Sequence, residues 1–461
     1  MTHHSRNFLP LGDFKPADQW QTHVNSIFYG IQGPGIHDHF QTYVSRDHRL
    51  AHALAEDFFA VARAQGPASS PLIVQEWGVG NGNLAACFLA RLRELDGEGK
   101  VYPRTRYVLC DYSREILDGT RVNALLQEHA GRFSAALMDA EGTDCFKPRS
   151  VCKILSNEIW DDLAAKALLK HDGLLLEEYL QPFLEPAAVD MDFEEFRTLF
   201  LNRDLDALKK LPPFLHAIHW ERSYQRVDIG DWPYAGTIRS LMDRAEEDIP
   251  IPVNIGAFAA LERALRLLAG ENQGYCGFDY GMFSMRELNE AGRPYFNLYG
   301  GQYTFMVNFE LLAEVGKAAG FKTVEKDYQR RYVGQRLGEN LLSVVEIVRT
   351  HPRIAEMPPW DRDALMLGTL HALNGTYKSP YKRILEYPVA PGTPKKQRKE
   401  IARLAGTLNP RGVPDTVAYV TASETFAVLK QLQRLGYRER DLRRTFEDPE
   451  QTIAFVYMKF Q

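Results

Sequence analysis

The sequence lacks several features that would mark particular classes of protein. No apolar run approaches the roughly 18 residues of a membrane-spanning helix. The five cysteines form no C-x-x-C pair, so we expect reduced, mostly buried thiols rather than disulfides. The first residues include His3, His4 and Arg6 but no apolar stretch, which argues against a secretory signal. These absences predict a cytoplasmic protein with no membrane partner.

Strong net charge is also missing. The formal net charge is −5, so the chain as a whole does not have the basic excess of a nucleic-acid-binding protein. Hydrophobic residues make up 45% and charged residues 25% of the chain, as in ordinary globular proteins. The 461 residues suffice for one large domain or two ordinary ones with a full core.

The most informative stretch is V-Q-E-W-G-V-G-N-G-N-L-A-A-C, residues 74–87. The apolar run at 71–74 before it predicts a buried parallel strand, and leucines from Leu84 to Leu95 predict an amphipathic helix after it. Between them, glycines occupy alternate positions: Gly78, Gly80 and Gly82. A strand, a glycine turn and a helix form half of a doubly wound nucleotide-binding site.

The glycine spacing distinguishes between nucleotide ligands. A dinucleotide-binding loop reads G-x-G-x-x-G, whereas here the third glycine comes one residue early and Asn83 takes its place. Glu76, just before the first glycine, would repel a pyrophosphate but suits a cationic amino group. We therefore favour S-adenosylmethionine over NAD as the cofactor. The alternative is an ordinary glycine-rich turn after a strand.

Two further predicted strands end in carboxylates. Asp111 follows the strand 107–110 and is placed to bind ribose hydroxyls, or else to cap the helix that begins near Ser113. Asp139 follows the weak strand 133–137 and is either an acceptor for the adenine amino group or an exposed loop acid. The predicted cofactor site also includes the residues beside them, Tyr112 and Ala140.

A fourth predicted strand, 151–155, leads into S-N-E-I-W-D-D. Ligands of open parallel sheets bind beyond the carboxyl ends of the strands, so Asn157 is expected beside the cofactor. If a helical turn starts here, Glu158 and Asp161 share a face and can bind or deprotonate a cationic acceptor. The alternative is a helix N-terminus enriched in acids that suit its dipole.

The remaining chain suggests an organisation in three parts. Residues 1–70 contain a glycine-rich flexible loop at 28–35 and a helix at 49–64, and form either a helical cap over the site or a plain helical layer. Residues 71–325 form the Rossmann-like domain, with an insertion at 185–250 that covers an acceptor pocket or forms a homodimer face. Residues 326–461 are a C-terminal extension.

Three further segments complete the prediction. The stretch 274–281 predicts a fifth strand, 303–320 a turn and a helix, and 452–460 a final strand. Basic residues cluster in the C-terminal extension, and they form either a surface for an acidic partner or a solvated helix face: Lys395, Lys396, Arg398, Lys399, Arg434, Arg438, Arg440, Arg443 and Arg444.

Four sequence blocks resemble the MidA-type S-adenosylmethionine-dependent methyltransferases. In chain order they are E-W-G-V-G-N-G-N-L, S-N-E-I-W-D-D-L, G-F-D-Y-G and M-V-N-F-E-L-L-A-E-V. The resemblance runs from about residue 28 to 325. The residues that match the family pattern are Glu76, Gly78, Gly80, Gly82, Asn157, Glu158, Asp161, Asp279, Tyr280 and Gly281.

This resemblance implies a class I methyltransferase fold and methyl transfer to an acceptor, first of all a protein arginine. The chain departs from the family at Val79, Asn81, Asp162 and Ala164, and only 39–42 echoes the family's N-terminal motif. The acceptor is therefore open. A small-molecule O- or N-methyltransferase is one alternative, and a non-catalytic assembly or scaffold protein that keeps the methyltransferase fold is the other.

Overall fold

The computed structural model describes residues 8–33, 42–64, 70–140, 146–270, 272–383, 392–449 and 454–461, together with residues 385, 387 and 389. The predictions for 39–41, for the end of the glycine-rich loop at 34–35 and for Cys145 lie outside the described residues. The other four cysteines are buried thiols, as predicted: Cys87, Cys110, Cys152 and Cys276.

An eight-stranded sheet forms the centre of the molecule. Its seven main strands are β1 (Leu72–Trp77), β2 (Thr105–Asp111), β3 (Phe133–Leu137), β4 (Lys153–Asn157), β5 (Tyr275–Met282), β6 (Val324–Tyr328) and β7 (Ala454–Phe460). Their order is β6-β7-β5-β4-β1-β2-β3, and the short strand Val307–Asn308 also pairs with β5. Strands β1 to β5 are parallel, whereas β7 runs antiparallel to both of its neighbours. The predicted Rossmann-like sheet of the class I methyltransferase type is confirmed.

Both faces of this sheet are covered, which explains the apolar runs of its strands. Along β4, Ile154 belongs to one hydrophobic cluster and Leu155 to the other, because successive side chains point to opposite faces. The longer helices are α1 (Ala17–Gln32), α2 (Arg49–Ala64), α3 (Asn83–Leu95), α4 (Phe193–Asn202), α5 (Ala235–Arg244), α6 (Ile255–Leu267), α7 (Phe309–Ala319), α8 (Gln329–Leu337), α9 (Pro359–Leu373), α10 (Lys395–Ala405) and α11 (Glu439–Glu447).

The N-terminal region differs from the sequence prediction. The glycine-rich stretch that was predicted to be a flexible loop is helical up to Gln32, because α1 continues through Phe28, Tyr29 and Gly30. Its apolar positions Trp20, Val24, Ile27 and Phe28 are buried at helical spacing, so tertiary packing overrides the local glycine signal.

A second, antiparallel sheet is built from two short N-terminal strands and from the segment that lies between β4 and β5 in sequence. Its strands are Leu9–Pro10, Lys15–Pro16, Lys166–His171, Leu174–Leu184, His219–Arg226 and Ile251–Val253. The sequence analysis placed an insertion only from residue 185 and missed the strands before it. Within the predicted insertion lie α4 and the short helix Leu205–Leu208. Residues 303–305 are strand rather than turn.

Residues 329–449, which we call the C-terminal insertion, leave the central sheet after β6 and return to it at β7. They have a hydrophobic core of their own, including Leu342, Leu370 and Leu432. A two-stranded sheet pairs Leu341–Ser343 with Tyr419–Thr421. The predicted final strand is confirmed over 454–460, and it lies inside the central sheet. The domain boundaries and a homodimer stay predictions.

In the described segments no helix is long and apolar enough to cross a membrane, and no cluster of potential metal ligands occurs. The basic run of α10 is exposed, with Ile401 as the buried residue of that helix. Several of the predicted basic residues pair with acids of their own helix, for example Arg443 with Glu439 at 2.7 Å. Whether these basic residues bind an acidic partner or form a solvated helix face stays a prediction with two alternatives.

Candidate active site

A cavity of about 1080 Å³ opens at the carboxyl ends of β1, β2 and β4, where open parallel sheets bind ligands. All of the predicted site residues except Gly82 line it. We call Glu76 to Asn81 with Asp111 the loop end of this cavity. The residues Glu158, Asp161 and Asp162 form its carboxylate end.

At the loop end, the backbone takes conformations that favour glycine. Gly78, Gly80 and Gly82 all have positive φ, at 73°, 54° and 74°. A Cβ on Gly78 would lie 2.4 Å from Ile159 Cγ2, so this glycine also allows close approach of the turn after β4. Gly82 is the N-cap of α3 and supplies no capping side chain. Asn81 Oδ1 instead accepts the Asn83 N–H at 3.0 Å. An anionic part of a ligand would therefore bind N–H groups further along the first turn, where Leu84 lines the cavity.

Glu76 is 3% exposed at the end of β1. Its Oε2 accepts a hydrogen bond of 2.7 Å from the Tyr107 hydroxyl. Burial raises the pKa of Glu76 to about 8, although the hydrogen bond from Tyr107 acts in the opposite direction. Glu76 therefore lines the cavity as a buried carboxyl group that is hydrogen-bonded to Tyr107, rather than as a solvent-exposed charge.

Asp111 ends β2 and is also buried. Its carboxylate accepts the Ser113 N–H at 2.9 Å. Burial raises its pKa to about 7, against the effect of backbone N–H groups that include Val79 of the glycine loop. The helix Arg114–Gly119 is capped by Ser113, whose side chain accepts the Ile116 N–H, so the capping alternative for Asp111 is wrong.

The ends of β2 and β3 supply the next part of the cavity wall. Tyr112 is half exposed, and its ring meets the Tyr29 ring edge to face at a centroid distance of 5.6 Å. Met138 is buried, and Asp139 beside it is exposed. Together with Ala140 they line the cavity, so the predicted strand ends do meet at one place.

The turn after β4 is not the predicted helix. Only a single turn forms, with the N–H groups of Asp162 and Leu163 bonded to the Ile159 carbonyl. Glu158 lies before this turn and has a left-handed backbone with φ of 52°. Glu158 and Asp161 therefore share the cavity but not a helix face, and the alternative of a helix N-terminus rich in acids is also wrong. Strained backbone of this kind concentrates at functional sites.

Hydrogen bonds within this turn leave two acceptors unused. Asn157 Nδ2 donates to Glu158 Oε1 at 3.0 Å, whereas the buried Asn157 Oδ1 has no partner among the described residues. Burial raises the pKa of Glu158 to about 7, despite this hydrogen bond. Asp161 Oδ2 accepts the Tyr280 hydroxyl at 2.5 Å, and its Oδ1 likewise lacks a partner in the described part of the chain.

Asp279 fixes the turn from behind. Its Oδ2 accepts the backbone N–H groups of Trp160, at 2.8 Å, and of Asp161, at 3.3 Å. Burial raises the pKa of Asp161 well above its ordinary value, and the neighbouring charges of Asp162 and Glu158 raise it further. The carboxylate end therefore stabilises a positive charge that enters it.

Sequence reasoning missed the partners of Asp162. Its Oδ1 accepts Asn25 Nδ2 at 2.6 Å and Gln302 Nε2 at 2.8 Å, and Gln302 Nε2 also donates to the Tyr29 hydroxyl at 2.7 Å. The only sequence signal was the departure from the family pattern at Asp162 itself. An acid at this position is held by amides from α1 and from the strand Gln302–Phe305.

The ionisable side chains around the cavity are mostly acids. The basic lining residues are Lys209 and His216, and both are exposed. The acidic lining residues are Glu76, Asp111, Asp139, Glu158, Asp161 and Asp162. In the described lining there is no arginine. Such a site favours a ligand with positive groups and disfavours one with a pyrophosphate.

Comparisons with known proteins found similarity only to solved structures. No family profile and no curated protein sequence matches the chain. Two of these structures are proteins of one superfamily from Burkholderia thailandensis. The first, bound to S-adenosyl-homocysteine, is 15% identical with a TM-score of 0.48, over 97% of this chain and 88% of that one. An uncharacterized protein of the same superfamily and organism is 14% identical with a TM-score of 0.46, over 98% and 88%.

A third solved structure is phosphoethanolamine N-methyltransferase 2 of Haemonchus contortus, in complex with phosphomonomethylethanolamine and S-adenosylhomocysteine. It is 10% identical with a TM-score of 0.32, over 88% of this chain and 52% of that chain. These low values leave the function to be inferred from the site itself.

Proposed function

We propose that this protein is an S-adenosylmethionine-dependent methyltransferase of the MidA type. The observation that carries the proposal is the acidic lining of the cavity at the end of a doubly wound sheet. S-adenosylmethionine carries a sulfonium and an ammonium group and no phosphate, so it suits this lining, whereas the pyrophosphate of NAD would be repelled. The sequence blocks that resemble the MidA-type family support the same assignment.

The residues at the loop end and at the ends of β3 and β4 fit this cofactor. The glycine turn before α3 suits its carboxylate, and the unpartnered Asn157 Oδ1 suits its ammonium group. Asp111 would accept the ribose hydroxyls, and Asp139 with Ala140 would flank the adenine. When bound, the cofactor supplies an activated methyl group on a cationic sulfur.

The carboxylate end would bind the acceptor. Glu158 and the unpartnered Oδ1 of Asp161 can accept N–H groups from a guanidinium and orient one nitrogen towards the methyl group. Charged hydrogen bonds of this kind localise the positive charge away from the attacking nitrogen. Glu158 would take up the proton that this nitrogen loses, since its pKa of about 7 suits a general base. Most of the acceleration would come from proximity and orientation. A protein arginine is therefore the proposed acceptor.

Calorimetric titration tests the cofactor. We expect S-adenosylmethionine and S-adenosylhomocysteine to bind the full chain, and NAD to give no heat. Binding of NAD alone, or of none of the three, would overturn the proposal.

Transfer of a labelled methyl group to arginine-containing peptides, followed by acid hydrolysis, tests the acceptor. Methylarginine in the hydrolysate is the expected product, and a peptide with lysine in place of arginine is the matched control. Label on a small molecule would instead identify the small-molecule alternative. Cofactor binding without any transfer would favour the scaffold protein.

A further inference from the structure

Residues 42–49 lie directly against the glycine loop. Val44 and Ser45 of this segment line the cavity. Asn81 Nδ2 donates to the Ser45 carbonyl at 2.9 Å, and Asn83 Nδ2 donates to the Val44 carbonyl at 2.7 Å. Asn83 is 2% exposed, so its bonds are shielded from water. The segment thus forms a wall of the loop end and is attached to it by the half-buried Asn81 and the buried Asn83.

The other side of the same segment is attached to the C-terminal insertion. Asp47, which is 3% exposed, accepts the Tyr377 hydroxyl at 2.8 Å and the Tyr419 N–H at 3.3 Å. Arg49 donates to the Tyr419 carbonyl at 2.9 Å and pairs with Glu424 at 2.6 Å. A buried network of charged hydrogen bonds is costly to break once formed, because each lost partner leaves a desolvated group behind.

The insertion also reaches the glycine loop without an intermediary. Arg383 Nη2 donates to Oδ1 of Asn83, which is the first residue of α3. Val417 of the insertion lines the cavity itself. Asn83 therefore binds Val44 through its Nδ2 and the insertion through its Oδ1. A glycine, which a dinucleotide loop would have at this position, could make neither bond.

We propose that the C-terminal insertion completes the cofactor site, by holding residues 42–49 and the start of α3 against the glycine loop. Arg383 and Asp47 are then positioning residues for S-adenosylmethionine, because neither lines the cavity. This inference rests on the proposed function, and it gives residues 329–449 a role in binding the methyl donor. Loss of the contacts should lower cofactor affinity without removing any group that touches the cofactor.

The test uses Arg383→Met in the full chain, with S-adenosylhomocysteine as the titrant. We expect its Kd to rise at least tenfold, and Arg383→Lys to recover part of the affinity because a lysine can still donate one hydrogen bond to Asn83. The matched control is Arg403→Met on α10, whose arginine is exposed and pairs with Glu400 of the same helix. The control should stay within twofold of the wild type.

A Kd for Arg383→Met within twofold of the wild type would overturn the inference while leaving the proposed function intact. If the wild type itself does not bind S-adenosylhomocysteine, the proposed function fails and the inference fails with it. A melting temperature measured without ligand separates the two effects, since a merely structural loss lowers it and leaves the Kd of the folded fraction unchanged.

Hydrogen–deuterium exchange on the wild type tests the same idea without any substitution. S-adenosylhomocysteine should slow exchange in residues 44–49 and 417–421, in addition to residues 78–84 that it would contact. Protection confined to the loop end, with unchanged exchange at 417–421, would contradict the inference.

Discussion

The two ends of the cavity are built in different ways. The loop end comes from one continuous stretch, and glycines at positive φ determine its shape locally. The carboxylate end is assembled from distant segments. The side chains of Gln302 and Tyr29, which are 273 residues apart in sequence, both hydrogen-bond to Asp162. A local backbone requirement leaves a readable pattern in the sequence, whereas a shared hydrogen bond between distant side chains does not.

This comparison predicts that substitutions can separate donor binding from catalysis. Glu158→Gln should lower turnover at least about 100-fold, because a positioned general base contributes on that order. The Kd for S-adenosylhomocysteine should stay within twofold. Labelled-methyl transfer and calorimetry on the same preparation measure both quantities. An equal loss of both would mean that Glu158 belongs to the loop end.

The pH profile sharpens this test. Since the pKa of Glu158 is about 7, its ionised fraction and hence turnover should rise about tenfold between pH 6 and pH 8. The glutamine variant should lose this rise. Glu98→Gln, which changes an exposed surface acid, is the control and should leave the profile unchanged.

Gly78→Ala should break the contrast between the two ends. Its positive φ strains any side chain, and the added Cβ would meet Ile159 beside Glu158. We expect the Kd for S-adenosylhomocysteine to rise more than tenfold and turnover to fall as well. Gly97→Ala is the matched control, because nothing lies within 4 Å of its added Cβ. Unchanged affinity in Gly78→Ala would contradict the proposed role of the loop.

Glu76→Gln should change how the stability of the protein depends on pH. Burial raises the pKa of Glu76 from 4.5 to about 8, so the native state keeps a proton that the unfolded chain releases. The resulting stability is fully present below pH 4.5 and is lost as the pH rises towards 8. Between pH 5 and pH 8 the wild type should lose up to about 3 kcal/mol relative to the glutamine variant.

Urea unfolding at each pH measures this difference. In the surface variant Glu98→Gln, the free energy of unfolding should change with pH as it does in the wild type, because Glu98 is exposed. If the free energy of unfolding of the wild type and of Glu76→Gln changed equally with pH, Glu76 would be ionised in the folded protein and would face solvent or a cation.

Much of the fold could be predicted because its signals are local. The strand–glycine–helix unit, the positions of the first five strands along the chain and the final strand follow from apolar runs and polar exits. The helical state of Gly30 could not be predicted, since it depends on the burial of neighbouring side chains such as Trp20 and Phe28. The conformation of Glu158 was missed for a similar reason, because Asp279 from β5 fixes the turn that follows it.

The position of β7 in the sheet has a consequence for biosynthesis. A nascent chain that has been translated as far as β6 must leave the edge of β5 unpaired until residues 454–460 emerge, since β7 separates these two strands. An uncovered strand edge is prone to aggregation. A ribosome that stalls within residues 329–449 would therefore release a product that needs a chaperone.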